Sequence, residues 1–253
     1  MLNSTELYYF SPTGGTRKAG EIFCDGISRN VKTVDLGGKD QVIEKPESEL
    51  VVFASPVFGG RLPSIVTEKL KELDGNGKTA VTLVVYGNRA YEDALLELNN
   101  IVGERGFCVT ASAALVAQHS MAPEVGKGRP DEQDRTSILA FAGKVLDKIE
   151  KGFENQVNVP GNYPYKDGMN MPVTPISLDS CNKCGKCSSA CPAGAIRVEN
   201  DAVITSPETC ILCMACTLAC PEQARILPPP LQEQMEQMLG ALKSVYRENE
   251  YFL

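Results

Sequence analysis

Cysteine spacing constrains this chain more than any other feature. One block reads CNKCGKCSSACP from Cys181, and a second reads CILCMACTLACP from Cys210. Both follow C-x2-C-x2-C-x3-C-P, so the second block repeats the first at a fixed offset. This run is the bacterial pattern for a pair of [4Fe–4S] clusters whose irons are held by cysteine thiolates. The spacing therefore predicts electron transfer through two clusters.

The fourth cysteine of each block predicts that the two blocks share their clusters. Three cysteines spaced two apart can wrap around one cube, whereas the fourth lies too far along its own run and ligates the cluster of the other run. Pro192 and Pro221, which follow the fourth cysteines, fix φ and start a new chain direction. The predicted ligands are Cys181, Cys184, Cys187 and Cys220 for one cluster, and Cys210, Cys213, Cys216 and Cys191 for the other.

Other uses of cysteine fit the sequence less well. Zinc prefers separated CxxC pairs or Cys/His mixtures, and the chain has one histidine. A disulfide framework needs an oxidising compartment, and no charged region followed by an apolar region opens the chain as a secretion signal would. We expect the two remaining cysteines, Cys24 and Cys108, to be small buried hydrophobes.

Length and charge limit the classes of partner. The 253 residues suffice for one ordinary domain and a small one. No stretch of 18 or more apolar residues occurs, so no membrane span is predicted. The formal net charge of −7 disfavours nucleic acid and favours a redox partner protein with a basic patch. A homo-oligomer is compatible with the sequence.

The first 151 residues alternate strand and helix patterns. Strands are predicted at residues 7–10, 31–36, 50–54, 81–86 and 107–117, and the last helix over 131–151. The LVVFA run at 50–54 has no polar alternation, as expected of a strand buried on both faces. The order predicts an α/β domain whose five-stranded parallel sheet is covered by helices on both faces.

The remaining chain divides into three segments. Residues 152–176 contain Pro160, Pro164, Pro172 and Pro175 and read as a linker or a functional wrap. Residues 177–228 hold the cysteine repeat and form a small α+β domain. Residues 229–253 carry apolar side chains at helical spacing, which predicts a helix that docks on its own protein, with a partner-binding helix as the alternative.

The turn after the first predicted strand reads SPTGGT, from Ser11 to Thr16. Small hydroxyl and glycine residues between a strand and a helix N-terminus form an anion cradle, because N–H groups point inward and the helix dipole favours negative charge. The P-loop G-x-x-x-x-G-K-[ST] and the Rossmann G-x-G-x-x-G are both absent. An ATPase or a dehydrogenase is therefore disfavoured.

The pattern Ser11-x-Thr13-Gly14-x-Thr16 resembles the FMN phosphate loop of flavodoxins, over residues 1–151. The resemblance implies a doubly wound sheet of order 2-1-3-4-5 with FMN beyond the carboxyl ends of the strands. It also implies that the loops SPVFGGRLP and YGNRAYED hold the flavin ring, with Phe58 and Tyr91 stacking on it. The implied FMN-binding residues are Ser11, Thr13, Gly14, Gly15, Thr16, Pro56, Val57, Phe58, Gly59, Gly60, Tyr86, Gly87, Asn88, Arg89 and Tyr91.

The order of the two parts resembles fused flavodoxin–ferredoxin proteins of anaerobic bacteria and archaea, known as the EFR1 type. This resemblance implies a cytoplasmic electron carrier that uses FMN and two [4Fe–4S] clusters, with no catalytic residue required. The alternatives are an FMN-dependent reductase of a small substrate, fed through the clusters, and a scaffold that has lost its flavin. For a reductase, the nearby candidates are His119, Tyr91 and Arg89. The pKa of histidine allows proton donation.

Overall fold

The structure is a computed structural model that describes residues 1–38, 43–152, 157–169 and 171–253. Residues 153–156 and 170 of the predicted linker lie outside the described residues. The first part of the chain alternates strands and helices. In chain order the elements are β1 (Leu2–Tyr9), α1 (Gly15–Ile27), β2 (Ser28–Asp35), β3 (Leu50–Pro56), α2 (Ser64–Lys71), β4 (Thr79–Tyr86), α3 (Ala94–Glu104), β5 (Cys108–Val116) and α4 (Glu132–Lys151).

The second part consists of short elements. They are β6 (Ile176–Ser177), α5 (Lys186–Ser189), β7 (Ile196–Glu199), β8 (Ala202–Thr205), α6 (Ala215–Leu218), β9 (Arg225–Ile226), α7 (Pro229–Leu239), a 3₁₀ turn (Gly240–Ser244) and β10 (Glu250–Phe252). Within the described residues, every helix is too short or too polar to cross a bilayer.

A six-stranded sheet in the order β10-β5-β4-β3-β1-β2 organises the first part. Strands β1 to β5 pair in parallel. Helices cover both faces, because the central strands are apolar on each side. Val52 and Leu83 face the core beneath α1 and α4, whereas Val51 and Val84 face the core beneath α2 and α3. The carboxyl ends of the parallel strands therefore meet at one open edge.

The prediction of a five-stranded sheet and a helix over 229–253 needs correction. The helix ends at Leu239, and residues 250–252 form a sixth strand that pairs antiparallel with β5. The Tyr251 ring stacks on Phe141 at 4.6 Å, and its hydroxyl donates to Ser137 Oγ at 2.8 Å. Pairing also satisfies backbone groups that β5 would otherwise expose as an edge strand. These contacts favour a strand over further helix.

Helix α7 packs on its own chain, as predicted for its apolar face. Leu231, Met235 and Leu239 are buried against Leu212 and Met214 of the cysteine repeat. Val125, from the loop after β5, belongs to the same apolar cluster. The helix thus ties the small domain to the carboxyl edge of the sheet.

The cysteine repeat is also a structural repeat. Helices α5 and α6 occupy equivalent positions in the two blocks and have left-handed N-cap residues, Gly185 (φ 76°) and Met214 (φ 65°). Two-stranded sheets close the domain, with β7 against β8 and β6 against β9. The two halves of the repeat therefore present their cysteines on similar backbone.

The two cysteines outside the repeat differ in burial. Cys24 is fully buried in α1, as predicted. Cys108 is exposed, so the prediction of burial was wrong for this residue. Its apolar neighbours in sequence suggested a core position, but Cys108 is the first residue of β5 and lies at the end of the strand.

Candidate functional site

The loops that follow β1, β3, β4 and β5 surround a cavity of about 90 Å³ at the carboxyl edge of the sheet. It continues along the SPTGGT loop into a groove of about 620 Å³ that shares Thr13, Gly15 and His119 with it. Many of the predicted cofactor residues line the cavity. They are Thr13, Gly15, Thr16, Pro56, Val57, Phe58, Gly59, Tyr86 and Gly87.

The SPTGGT loop leads directly into the N-terminus of α1. Ser11 Oγ accepts from the N–H of Arg17 at 2.9 Å, which orders the loop. Gly14 is the N-cap residue and offers no side-chain acceptor to the first turn, and that turn contains no acidic residue. Uncapped N–H groups with the positive end of the helix dipole favour an anion. Thr16, which is buried, lines the cavity beside this helix end.

His119 lines the cavity from the loop after β5. Burial lowers its pKa to about 4, helped by the charge of Arg89, so the ring is neutral near pH 7. Its Nδ1 accepts from the N–H groups of Met121 and Ala122, both at 3.2 Å, and the proton of the neutral ring therefore resides on Nε2. Gly87 is required beside this ring, because a Cβ there would approach His119 Cδ2 to 2.5 Å.

Tyr91, the second predicted stacking residue, lies outside the lining of the cavity. Its ring packs on Tyr86 at 5.4 Å between centroids, and its hydroxyl donates to Glu250 Oε2 at 2.8 Å. Tyr91 thus holds the C-terminal strand in place. Tyr86 does line the cavity and, with Phe58, is the aromatic side chain available there.

Three further predicted residues also make contacts away from the cavity. Asn88 is buried, and its Nδ2 donates to the carbonyl of Val245 at 2.8 Å. Arg89 forms a two-pronged ion pair with Glu92 at 3.1 and 3.0 Å. The carbonyl of Gly60 accepts from the N–H of Asp93 at 3.1 Å. These residues shape the two loops and anchor the C-terminal segment, and their contact with FMN stays a prediction.

Three side chains that sequence reasoning missed close the cavity. Met169 comes from the segment before the cysteine repeat, and Leu212 and Cys213 come from the second cysteine block. Met169 lies directly over Gly59, where a Cβ would meet Met169 Cβ at 2.8 Å. The spacing of the cysteines contains no signal for this contact, because it depends on how the two parts of the chain pack together.

Residues 157–169 reach the site because polar contacts anchor them. The Asp93 carboxylate accepts from the N–H groups of Asn162 and Lys166 at 2.8 and 2.7 Å. Hydrogen bonding, most strongly from the N–H of Lys166, lowers the pKa of Asp93 below its ordinary value. Burial of the residue acts in the opposite direction and is outweighed. The Arg61 guanidinium lies over the Tyr165 ring at 4.7 Å. This part of the predicted linker is therefore a wrap around the loops after β3 and β4.

The eight cysteines of the repeat include one contact between the two blocks that bears on ligation. Burial raises the pKa of Cys213 to about 12, and the nearby Cys191 thiol adds to that rise. Cys191 also contributes, after burial, to the raised pKa values of Cys210 and Cys216. Cys191, the fourth cysteine of the first block, packs in one apolar cluster with Cys210 and Cys216 of the second block and with Cys187 of its own.

Both fourth cysteines receive the same backbone hydrogen bond. The N–H of Ala195 donates to Cys191 Sγ, and the N–H of Ala224 donates to Cys220 Sγ, each at 3.3 Å. Hydrogen bonds to sulfur are one means by which proteins set cluster potentials. All ten cysteines are free thiols, and across the described ranges no three His, Cys, Asp or Glu side chains converge on one metal ion. The chemistry of the donor set, eight cysteines in two C-x2-C-x2-C-x3-C runs, fits [4Fe–4S] clusters.

Residues 180–225 match the profile of the family described as a 4Fe-4S dicluster domain. The predicted iron–sulfur character of the cysteine repeat is thereby confirmed. The matched segment contains all eight predicted cysteine ligands, from Cys181 to Cys220. No curated protein is similar enough to the whole sequence to count as a relative.

Solved structures similar to this chain include several flavodoxins. A Streptococcus pneumoniae TIGR4 flavodoxin is 16% identical, with a TM-score of 0.43, and the match covers 57% of this chain and 98% of that one. A flavodoxin, WrbA-like protein from Agrobacterium tumefaciens is 11% identical, with a TM-score of 0.45 and coverage of 59% and 98%. Rubredoxin oxygen:oxidoreductase from the anaerobe Desulfovibrio gigas is 13% identical, with a TM-score of 0.42 and coverage of 59% and 36%. At these values the likeness assigns neither a ligand nor an activity.

Proposed function

We propose that this chain is an iron–sulfur flavoprotein that passes single electrons between FMN and two [4Fe–4S] clusters, and from them to or from a redox partner protein. FMN exchanges electrons singly or in pairs, and each cluster passes one at a time. The observation that carries the proposal is that Cys213 of the second block lines the same cavity as the SPTGGT loop. The predicted FMN site and the predicted cluster site of the second block are therefore adjacent at Cys213.

The fit of FMN is supported by the donors at the carboxyl edge. The five parallel strands follow the order 2-1-3-4-5, in which ligands bind at the switch point beside β1 and β3. The phosphate would be held by Ser11, Thr13, Gly14, Gly15 and Thr16 at the N-terminus of α1. The ring would lie among the loops of Phe58 and Tyr86, with the Nε2–H of His119 available to its polar edge.

The crossed ligand set is supported by the contacts of Cys191. Its side chain packs in one apolar cluster with Cys210 and Cys216 of the other block, and Cys213 lies between these two in the sequence. We therefore assign these four to the cluster nearer to the flavin. Cys181, Cys184, Cys187 and Cys220 fall to the other cluster, where Cys184 is exposed. This exposed end is the natural place for exchange with a partner protein.

The side chains that close the cavity favour an electron carrier over a reductase. Met169, Leu212 and Cys213 line the cavity, so side chains from the second part of the chain fill space that a small substrate would need beside a flavin. His119, the candidate proton donor, is neutral near pH 7 and has a pKa of about 4. It is therefore a poor source of protons but a suitable hydrogen-bond donor. The order of the parts also fits the EFR1 type of fused flavodoxin–ferredoxin protein.

The double variant Thr13→Ala/Thr16→Ala tests the phosphate loop. Loss of two hydroxyl donors should weaken FMN retention by roughly 2 kcal/mol, or about 30-fold in Kd. The measurement is flavin fluorescence during titration of flavin-depleted protein with FMN. Thr136→Ala, on the exposed side of α4, is the matched control. Unchanged FMN affinity together with unchanged iron content would contradict the assignment of the loop.

A further inference from the structure

Arg225 is a buried cation that has no carboxylate partner among the described residues. The residue is 4% exposed and lies in β9 of the cysteine-repeat domain. Its Nη1 donates to Ser177 Oγ at 3.0 Å, and its Nη2 donates to Thr205 Oγ1. Its Nε is buried with no hydrogen-bond partner in the described part of the chain. A buried guanidinium without an anionic partner is unfavourable unless a negative group lies nearby.

The equivalent position of the first block shows that the backbone does not require an arginine at position 225. The first block continues as CPAGAI and the second as CPEQAR, so Arg225 is the counterpart of Ile196. Ile196 is also buried, at 5% exposure, and packs in an apolar cluster with Cys187 and Cys191. Ala195 and Ala224, which precede the two residues, make the same N–H to sulfur bond. The two halves thus differ at this position by one buried charge.

The thiols around Arg225 belong to both blocks. Burial raises the pKa of Cys216, and the charge of the guanidinium and a hydrogen bond from it act in the opposite direction. Burial likewise raises the pKa of Cys187 and of Cys210, and Arg225 again opposes it. Arg225 also directly follows Ala224, whose N–H donates to Cys220 Sγ, and its guanidinium bonds Ser177 and Thr205 within the same domain. The buried charge therefore lies inside the framework that carries the cysteines.

We propose that Arg225 is the internal counter-cation of the cluster pair and raises the reduction potential of the cluster beside it above the value that an uncharged side chain would give. This inference rests on the proposed function, because it requires both clusters. Uptake of one electron adds one negative charge to a cluster, and a fixed cation beside it stabilises that reduced form. In the loaded protein, the Nε–H that has no partner among the described residues would be available to a sulfur acceptor.

The test compares Arg225→Met, which removes the charge at similar length, with Arg225→Lys, which keeps it. Iron content is measured first, and then the midpoint potentials of the two clusters by redox titration with electron paramagnetic resonance. In Arg225→Met we expect full iron and a fall of at least tenfold in the reduction equilibrium of one cluster, which is about 59 mV for one electron. Arg225→Lys should retain most of the wild-type potential.

Iron content and midpoint potentials together either support or overturn the role of Arg225. Full iron with unchanged potentials in Arg225→Met overturns the proposal. Loss of iron in Arg225→Met with retention in Arg225→Lys supports it, because the charge is then required to hold the cluster. Equal loss of iron in both variants overturns it, since shape and not charge would be responsible. About four irons per chain in the wild-type protein, in place of about eight, would instead contradict the proposed function.

Discussion

Cys191→Ala should lose about half of the iron, roughly four of eight atoms per chain, and the missing cluster should be that of the second block. The reason is that Cys191 packs with Cys210 and Cys216 of that block. Alkylation of the native, oxygen-free protein followed by peptide mass spectrometry identifies which thiols have become free. We expect labelling at the three cysteines of the second block and protection of Cys220.

Cys220→Ala is the matched control for this experiment. It removes the other fourth cysteine, which receives the equivalent N–H bond from Ala224. The expected labelling is the mirror image, at Cys181, Cys184 and Cys187, with Cys191 protected. If Cys191→Ala instead frees the three cysteines of its own block, ligation is not crossed and the flavin-side assignment of the clusters is wrong.

Arg129→Met should strongly destabilise the first domain. Arg129 and Asp134 form a buried ion pair with side-chain exposures of 4% and 1%. Burial tends to raise the pKa of Asp134, but the hydrogen bond and charge of Arg129 keep it below its ordinary value. Arg129 also donates to the carbonyl of Arg247 and lies over the Tyr246 ring at 4.0 Å.

Removing one partner of such a pair leaves an uncompensated buried charge, which costs about 3 to 5 kcal/mol. For a chain of this size that corresponds to a fall in Tm of roughly 6 to 20 °C. The measurement is thermal unfolding of the loaded protein followed by circular dichroism. The double variant Arg129→Met/Asp134→Leu should recover part of the loss, because no charge is left unpaired. Equal Tm values for wild type and Arg129→Met would contradict this account of the C-terminal anchor.

Local patterns predicted the parts of the fold that depend on local physics. The apolar run at 50–54 became the doubly buried β3. Asp131 and Asp134 form a capping box at the start of α4, close to the predicted beginning of that helix. The repeated cysteine spacing in the sequence corresponds to a repeat in the structure, because ligand spacing is itself a local geometric requirement.

The features that the sequence did not reveal depend on packing between distant segments. Strand β10 has three residues and no alternating pattern, so only its partner β5 makes it a strand. The resemblance to flavodoxins implies that Tyr91 stacks on the flavin ring, but it gave no sign that the Tyr91 hydroxyl donates a hydrogen bond to Glu250 near the end of the chain. Met169 and Cys213 reach the cavity only because residues 157–169 wrap around it and the small domain docks on the edge of the sheet.

The most direct test of the central claim is the rate of electron transfer between flavin and clusters after a laser flash reduces the protein by one electron. Because Cys213 lines the cavity assigned to FMN, we expect transfer within one chain, with a first-order rate constant that does not change over a wide range of protein concentration. A rate that rises in proportion to protein concentration, or an absence of transfer in protein loaded with both cofactors, would contradict the account.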